Sequence, residues 1–145
     1  MTSARFVEPT GLSSGNVSSA RDLVKLVKAA SSDPLIRHYS ISQSHEVQVG
    51  SYTLEFRNSN SLTSKEDWHI AMQKTGYTSE AGRCLVMTAF VQDRPIVMVL
   101  LNSFGKHTRL ADARRVRNWM EVSGANSPRY ARTTAGVSAA AAPAP

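Results

Sequence analysis

Apolar residues fall at helical spacing between Leu23 and Ala30, where Leu23, Leu26, Val27 and Ala30 form one stripe. Ser18 and Ser19 stand just before it, and a serine oxygen there can accept the unpaired N–H groups of a first turn. A helix ending at Ala30 is therefore predicted, with a shorter helical turn after Pro34. The period then changes to two. Ile41, Val47, Val49, Tyr52, Leu54 and Phe56 alternate with polar residues around Gly50-Ser51, which reads as a hairpin. Three more β-type segments follow, Trp68 to Tyr77, Arg83 to Val91 and Pro95 to Leu101, joined by short connections that favour an antiparallel meander. The last two are nearly continuous apolar runs, as expected of strands covered on both faces. A final helix from Lys106 to Val122 offers Leu110, Ala113, Val116, Trp119 and Met120 as cover. The fold class is α+β, an antiparallel sheet with packed helices.

With 145 residues and 41% hydrophobic content, the chain is long enough for one domain with its own core. The Ala/Pro-rich stretch 123–145 has almost nothing large and apolar to bury and is expected to be a disordered tail, which leaves a domain of residues 1–122. The formal charge of +6 would suit an anionic partner of any kind. Much of it lies in Lys106, Arg109, Arg114, Arg115 and Arg117, which reads as a solvated face of the final helix. No basic stretch is interleaved with exposed aromatics, so nucleic acid is not expected as a partner. Cys84, the single cysteine, sits in an apolar run and reads as a small buried hydrophobe; no disulfide framework is possible. His38, His45, His69 and His107 share no metal-ligand spacing, and no metal or other cofactor is expected. Trp68 and Trp119 read as packing anchors. The chain as written carries neither a signal peptide nor an apolar run long enough for a transmembrane segment.

Lys74-Thr75-Gly76 is the motif with chemical content. A lysine, a hydroxyl and a glycine at the end of a strand make a carboxylate-binding edge, and serine acyltransferases use such a K-T-G with an S-x-x-K nucleophile and an S-x-N element. Its surroundings carry more weight than the triplet. Thr10-Gly11-Leu12-Ser13-Ser14-Gly15-Asn16 through Leu23, Gln73-Lys74-Thr75-Gly76-Tyr77, Glu80 through Met87, and Gly105-Lys106 with Arg109 and Asp112-Ala113 together resemble the penicillin-binding D-alanyl-D-alanine endopeptidases and carboxypeptidases.

The resemblance implies the C-terminal part of a β-lactamase/transpeptidase-like domain and a periplasmic serine hydrolase acting on peptidoglycan peptides, with the blocks leaning towards the endopeptidases. β-Lactams would trap the serine of such an enzyme. Carried over, Lys74 and Thr75 would hold the substrate's terminal carboxylate or an adjacent anion, and Gly76 would let the backbone approach. The Tyr77 backbone N–H would be an oxyanion donor.

Ser103-Phe104-Gly105-Lys106 and Ser14-Gly15-Asn16 fit S-x-x-K and S-x-N by pattern. Both are rejected. The family order puts the nucleophile first, and Ser103, on the third meander strand, would lie two strand spacings, roughly 9 to 10 Å, behind the K-T-G strand. Ser14-Gly15-Asn16 reads as a turn. Met1 aligns with the interior of relatives, so the nucleophile is expected upstream of this chain, and the isolated chain is expected to be inactive. The alternative is a noncatalytic remnant that binds wall peptides or a protein partner.

Overall fold

The computed structural model describes residues 1–125. Helix α1 spans Ala20–Ala30; Ser19 caps it, its side chain accepting from the Asp22 N–H at 3.2 Å. Helix α2 spans Pro34–Ile41, with the Asp33 carboxylate accepting from the Leu35 and Ile36 N–H groups and Pro34 in the first turn. That cap carries the helix through Ile41, which the alternating pattern had assigned to a β-segment. The hairpin starts later, as β1 (Ser44–Val49) and β2 (Tyr52–Arg57), turning at Gly50-Ser51 with Val49 opposite Tyr52.

After a 3₁₀ turn at Ser61–Ser64 comes the meander: β3 (His69–Thr78), β4 (Gly82–Val91) and β5 (Arg94–Ser103) form an antiparallel sheet in the order β3-β4-β5. Among the described residues β3 therefore has a strand on one side only. A bulge between Ile70 and Met72 resets its register; beyond it Met72 lies opposite Thr88 on the α1 face and Gln73 opposite Met87 on the α3 face, and both are buried. Helix α3 spans Thr108–Ala125, three residues into the stretch expected to be tail. The rest of that stretch, 126–145, lies outside the described residues.

The core lies between α3 and one face of the sheet. Leu85, Met87 and Ala89 of β4 are fully buried, and Trp68, Met98, Leu110 and Ala113 pack with them. α1 covers part of the opposite face, where the Ser31 and Thr88 hydroxyls share a hydrogen bond of 2.9 Å. The two continuous apolar strands are thus covered from both sides, as expected.

Several side chains depart from their expected environments. In α1 the buried positions are Val27 and Asp22, while Leu26 is exposed. Asp22 is buried because it ties down the chain start, accepting from the Ser3 N–H at 2.7 Å and from Lys25. Trp119 is 68% exposed and anchors nothing; Trp68 does the packing, beneath the Arg117 guanidinium at 5.1 Å from its ring. The basic face of α3 is not uniformly solvated. Arg117 bridges Asp67 and Glu121 at 2.7 and 2.8 Å, and Arg109 is buried. Helical spacing puts both on the sheet side of α3, so their charge enters the interior edge rather than the solvent.

Candidate functional site

Among the described residues the sheet order leaves the outer edge of β3 without a strand, and an edge strand points half of its N–H and C=O groups outwards. The first part of that edge is occupied. The Gln73 N–H donates to the Ser40 hydroxyl at 3.3 Å and its side-chain amide to the Ser40 carbonyl at 2.6 Å. Asn58 joins the same network, donating to the Ser40 and Ser42 carbonyls and accepting from the Gln73 amide at 3.0 Å. These bonds fasten the end of α2 and the exit of the hairpin to β3 immediately before the K-T-G triplet. Sequence reasoning passed over Asn58 and named Gln73 only as the residue before the triplet; their role depends on a contact between segments far apart in the chain.

Beyond Gln73 the strand presents Lys74, Thr75, Gly76 and Tyr77. Register divides them between two faces. Lys74 and Gly76 lie opposite Val86 and Cys84, and Thr75 and Tyr77 opposite Leu85 and Arg83. Leu85 belongs to the α3 core, so Thr75 and Tyr77 share the α3 side of the sheet and Lys74 and Gly76 the other. Lys74 is exposed and its ammonium donates to the Thr75 carbonyl. The Thr75 hydroxyl shares a hydrogen bond of 2.6 Å with that of Ser59.

A Cβ built on Gly76 would meet nothing within 4 Å, and its φ is not in the left-handed region. The fold does not need a glycine there. Gly82, the first residue of β4, is the contrast: it has φ +66°, and a Cβ would come within 2.4 Å of the Asn102 side chain.

Gly76 opens on a cleft of about 470 Å³ between β3 and the N-terminal loop, lined by Lys74, Gly76, Cys84, Ser14 and Asn16 among others. Cys84 is half-buried on this wall rather than a core hydrophobe, because the strand alternation that buries Leu85 turns Cys84 to the other face. The opposite wall is a preformed loop. Arg5 and Val17 exchange two backbone hydrogen bonds at its neck, and Glu8 organises its tip by accepting from the Thr10 hydroxyl and from the Thr10, Gly11 and Ser13 N–H groups. The Thr10 hydroxyl, followed by the Ser13 N–H, pulls the Glu8 carboxyl down to about 2. Ser14-Gly15-Asn16 is indeed a turn in this loop, yet it faces the K-T-G strand across the cleft. Chain position concealed this.

Lys74 is the one basic residue lining the cleft among the described residues. The serines of the opposite wall therefore have no imidazole or second amine beside them to take a proton. Ser103 pairs with Arg83 on β5, at the opposite side of the sheet from the K-T-G edge. What these groups can do is bind an extended, anionic peptide: an open strand edge, a cation, a hydroxyl and a glycine that admits close approach.

The family model for D-alanyl-D-alanine carboxypeptidase matches residues 1–105. D-alanyl-D-alanine endopeptidases of Escherichia coli and Pseudomonas aeruginosa are each 46% identical over 124 residues, covering 84% of this chain and 40% of each relative. The chain thus spans about 40% of the length of these curated relatives. Among solved structures, a Streptomyces DD-transpeptidase variant superimposes with a TM-score of 0.64 at 26% identity, over 74% of this chain and 43% of that one.

Proposed function

The chain belongs to the D-alanyl-D-alanine carboxypeptidase family, and from that premise we propose that it forms the substrate-binding edge of a serine-type D-alanyl-D-alanine endopeptidase or carboxypeptidase acting on peptidoglycan peptides. Lys74 and Thr75 hold the terminal carboxylate or an adjacent anion of the peptide. Gly76 admits the peptide backbone alongside β3, and the Tyr77 backbone N–H donates to the carbonyl oxygen as negative charge develops on it. The endopeptidases at 46% identity favour cleavage within cross-linked peptides over trimming of their ends. β-Lactams would occupy the same edge, and the working compartment is the periplasm. Residues 1–122 act as one domain in this reading, with the Ala/Pro-rich residues that follow as an appendage.

One observation carries the proposal: Gly76 stands on an open strand edge beside Lys74, in a place where the fold would accept a side chain. A residue kept free of a Cβ without internal cause makes sense if something outside the chain must come close. A second reading, binding of wall peptides without turnover, draws on a cleft lining that holds no imidazole and no second amine among the described residues.

The test is titration of the chain with N-acetyl-D-alanyl-D-alanine. The intact chain is expected to bind it, with Lys74→Ala and Gly76→Val each weakening binding tenfold or more on the order expected for a lost charged hydrogen bond or a steric block. Unchanged affinity in both variants would exclude the K-T-G edge as the site.

A further inference from the structure

The hairpin β1–β2 contributes nothing to the core: every residue of both strands is exposed. Register divides it into two faces. Val47 and Val49 share one with Leu54 and Tyr52, while Ser44 shares the other with Glu55 and Arg57. This polar face and the 3₁₀ turn at Ser61–Ser64 line a common hollow of about 350 Å³. Among the described residues its lining is polar throughout. The Gln43 side-chain amide reaches from the start of the hairpin to the Thr63 carbonyl at 3.4 Å, and on the hairpin side Glu55 and Arg57 form an ion pair at 2.9 Å.

The hollow adjoins the K-T-G edge. Asn58, one of its lining residues, accepts from the Gln73 side-chain amide at 3.0 Å, and the next residue, Ser59, holds the Thr75 hydroxyl at 2.6 Å. The Gln73 N–H is already given to Ser40, so a peptide paired along β3 cannot continue past Thr75 towards the start of the strand. It must leave the strand line there. With the reacting carbonyl at the Tyr77 N–H and the terminal carboxylate at Lys74 and Thr75, the residue at that blocked end is the one released by cleavage. A released residue that keeps its carboxylate free and yet belongs to a cross-link is joined onward through its side chain. That branch needs a place beside Thr75.

We propose that the hollow between the hairpin and the 3₁₀ turn is the subsite for the leaving strand of a cross-link, and that Glu55 and Arg57 recognise the amide-bearing branch of the released residue. The inference rests on the reading of K-T-G as the peptide-binding edge. An amide offers one donor and one acceptor, and the pair answers both: the Arg57 guanidinium donates to its carbonyl and the Glu55 carboxylate accepts from its N–H. The hydroxyls and amides that complete the lining replace water along the branch. A terminal D-alanine has only a methyl group at this position and leaves the hollow empty. The hairpin thus separates cross-linked peptides from free ends, because a site with polar groups placed for one ligand discriminates against the ligand that lacks their partners.

The test is calorimetric titration of the full chain, and of its Glu55→Ala/Arg57→Ala double variant, with three peptides. Acetyl-D-alanyl-D-alanine lacks the branch, acetyl-D-alanyl-D-norleucine carries an apolar one, and acetyl-D-alanyl-Nε-acetyl-D-lysine carries one that ends in an amide. Both substituted residues are exposed on β2, so their replacement leaves the core intact. The intact chain is expected to bind the acetyl-lysine peptide roughly tenfold more tightly than the other two, as hydrogen bonds to charged groups provide. The double variant should lose that preference and keep its affinity for acetyl-D-alanyl-D-alanine. Equal binding of all three peptides by the intact chain overturns the subsite and leaves the K-T-G reading standing, whereas failure to bind any of them removes both. A gain shared by the norleucine peptide, or one that survives in the double variant, overturns the assignment to Glu55 and Arg57. So does loss of acetyl-D-alanyl-D-alanine binding in that variant, since the pair would then serve the K-T-G edge itself.

Discussion

The hydroxyls of Thr75 and Ser59 lie 2.6 Å apart, so the threonine of the K-T-G triplet is held in place by a residue 16 positions earlier. A hydroxyl has one proton and two lone pairs. With Ser59 as one partner, Thr75 keeps either its proton or a lone pair for a ligand, and its rotamer is fixed before the ligand arrives. Ser59→Ala is expected to lower stability by about 1 kcal/mol or less, the net value of such a bond. It should also weaken binding of N-acetyl-D-alanyl-D-alanine a few-fold through loss of that orientation. Urea unfolding and calorimetric titration of the same variant separate the two effects.

The two glycines flanking the end of β3 should behave oppositely. Gly76→Ala is expected to leave the unfolding midpoint essentially unchanged, since the new methyl meets open space. Gly82→Ala places a Cβ in a left-handed turn against Asn102, at 3.0 Å from its Cα, and is expected to cost about 1 to 3 kcal/mol. Denaturant unfolding of the pair checks this. Equal destabilisation would show that Gly76 has a structural role.

Fluorescent penicillin is expected to leave the 145-residue chain unlabelled. Ser103, the serine of its S-x-x-K pattern, sits at the end of β5, two strands behind the K-T-G edge, and pairs with Arg83. Gel fluorescence followed by peptide mapping is the measurement. A covalent adduct at any serine of this chain would overturn that expectation.

Glu8 provides a pH dependence with a defined sign. Its carboxyl titrates at about 2 in the folded chain against an ordinary 4.5. A depressed carboxyl contributes stability above the ordinary value, and that contribution is lost as pH falls through the folded one. Order in the loop 8–16 should therefore hold at neutral pH and decline between pH 4.5 and about 2. Amide exchange at Gly11 and Ser13, which donate to Glu8 at 3.0 and 3.1 Å, is the readout. Glu8→Gln should remove the dependence.

The elements that were legible in the sequence are those in which local period and tertiary environment agree. The meander shows this: alternate positions of β4 bury Leu85, Met87 and Ala89, and its apolar intervening residues meet α1 and the cleft. The triplet at 74–76 was legible for another reason, since its chemistry is carried by adjacent residues. What escaped were side chains whose environment is set by partners far along the chain. Asp22 is buried by Ser3, Arg117 is drawn inwards by Asp67, and Ser40, Asn58 and Gln73 meet only once the hairpin and α2 fold against β3. Trp119 failed in the opposite direction: at about 100° per residue it falls round the helix from Ala113, off the face that meets the sheet, and is left exposed.

The unpaired side of β3 also has a colloidal consequence. A strand open to an extended peptide is equally open to the same strand of another molecule, and flat edges joined in this way seed aggregates. Lys74, exposed at the middle of that edge, sets like charge against like when two copies approach, so it protects the solution state of the chain while attracting an anionic guest. Its removal should therefore be felt twice, once in the titration cell and once in the concentration at which the protein stays clear.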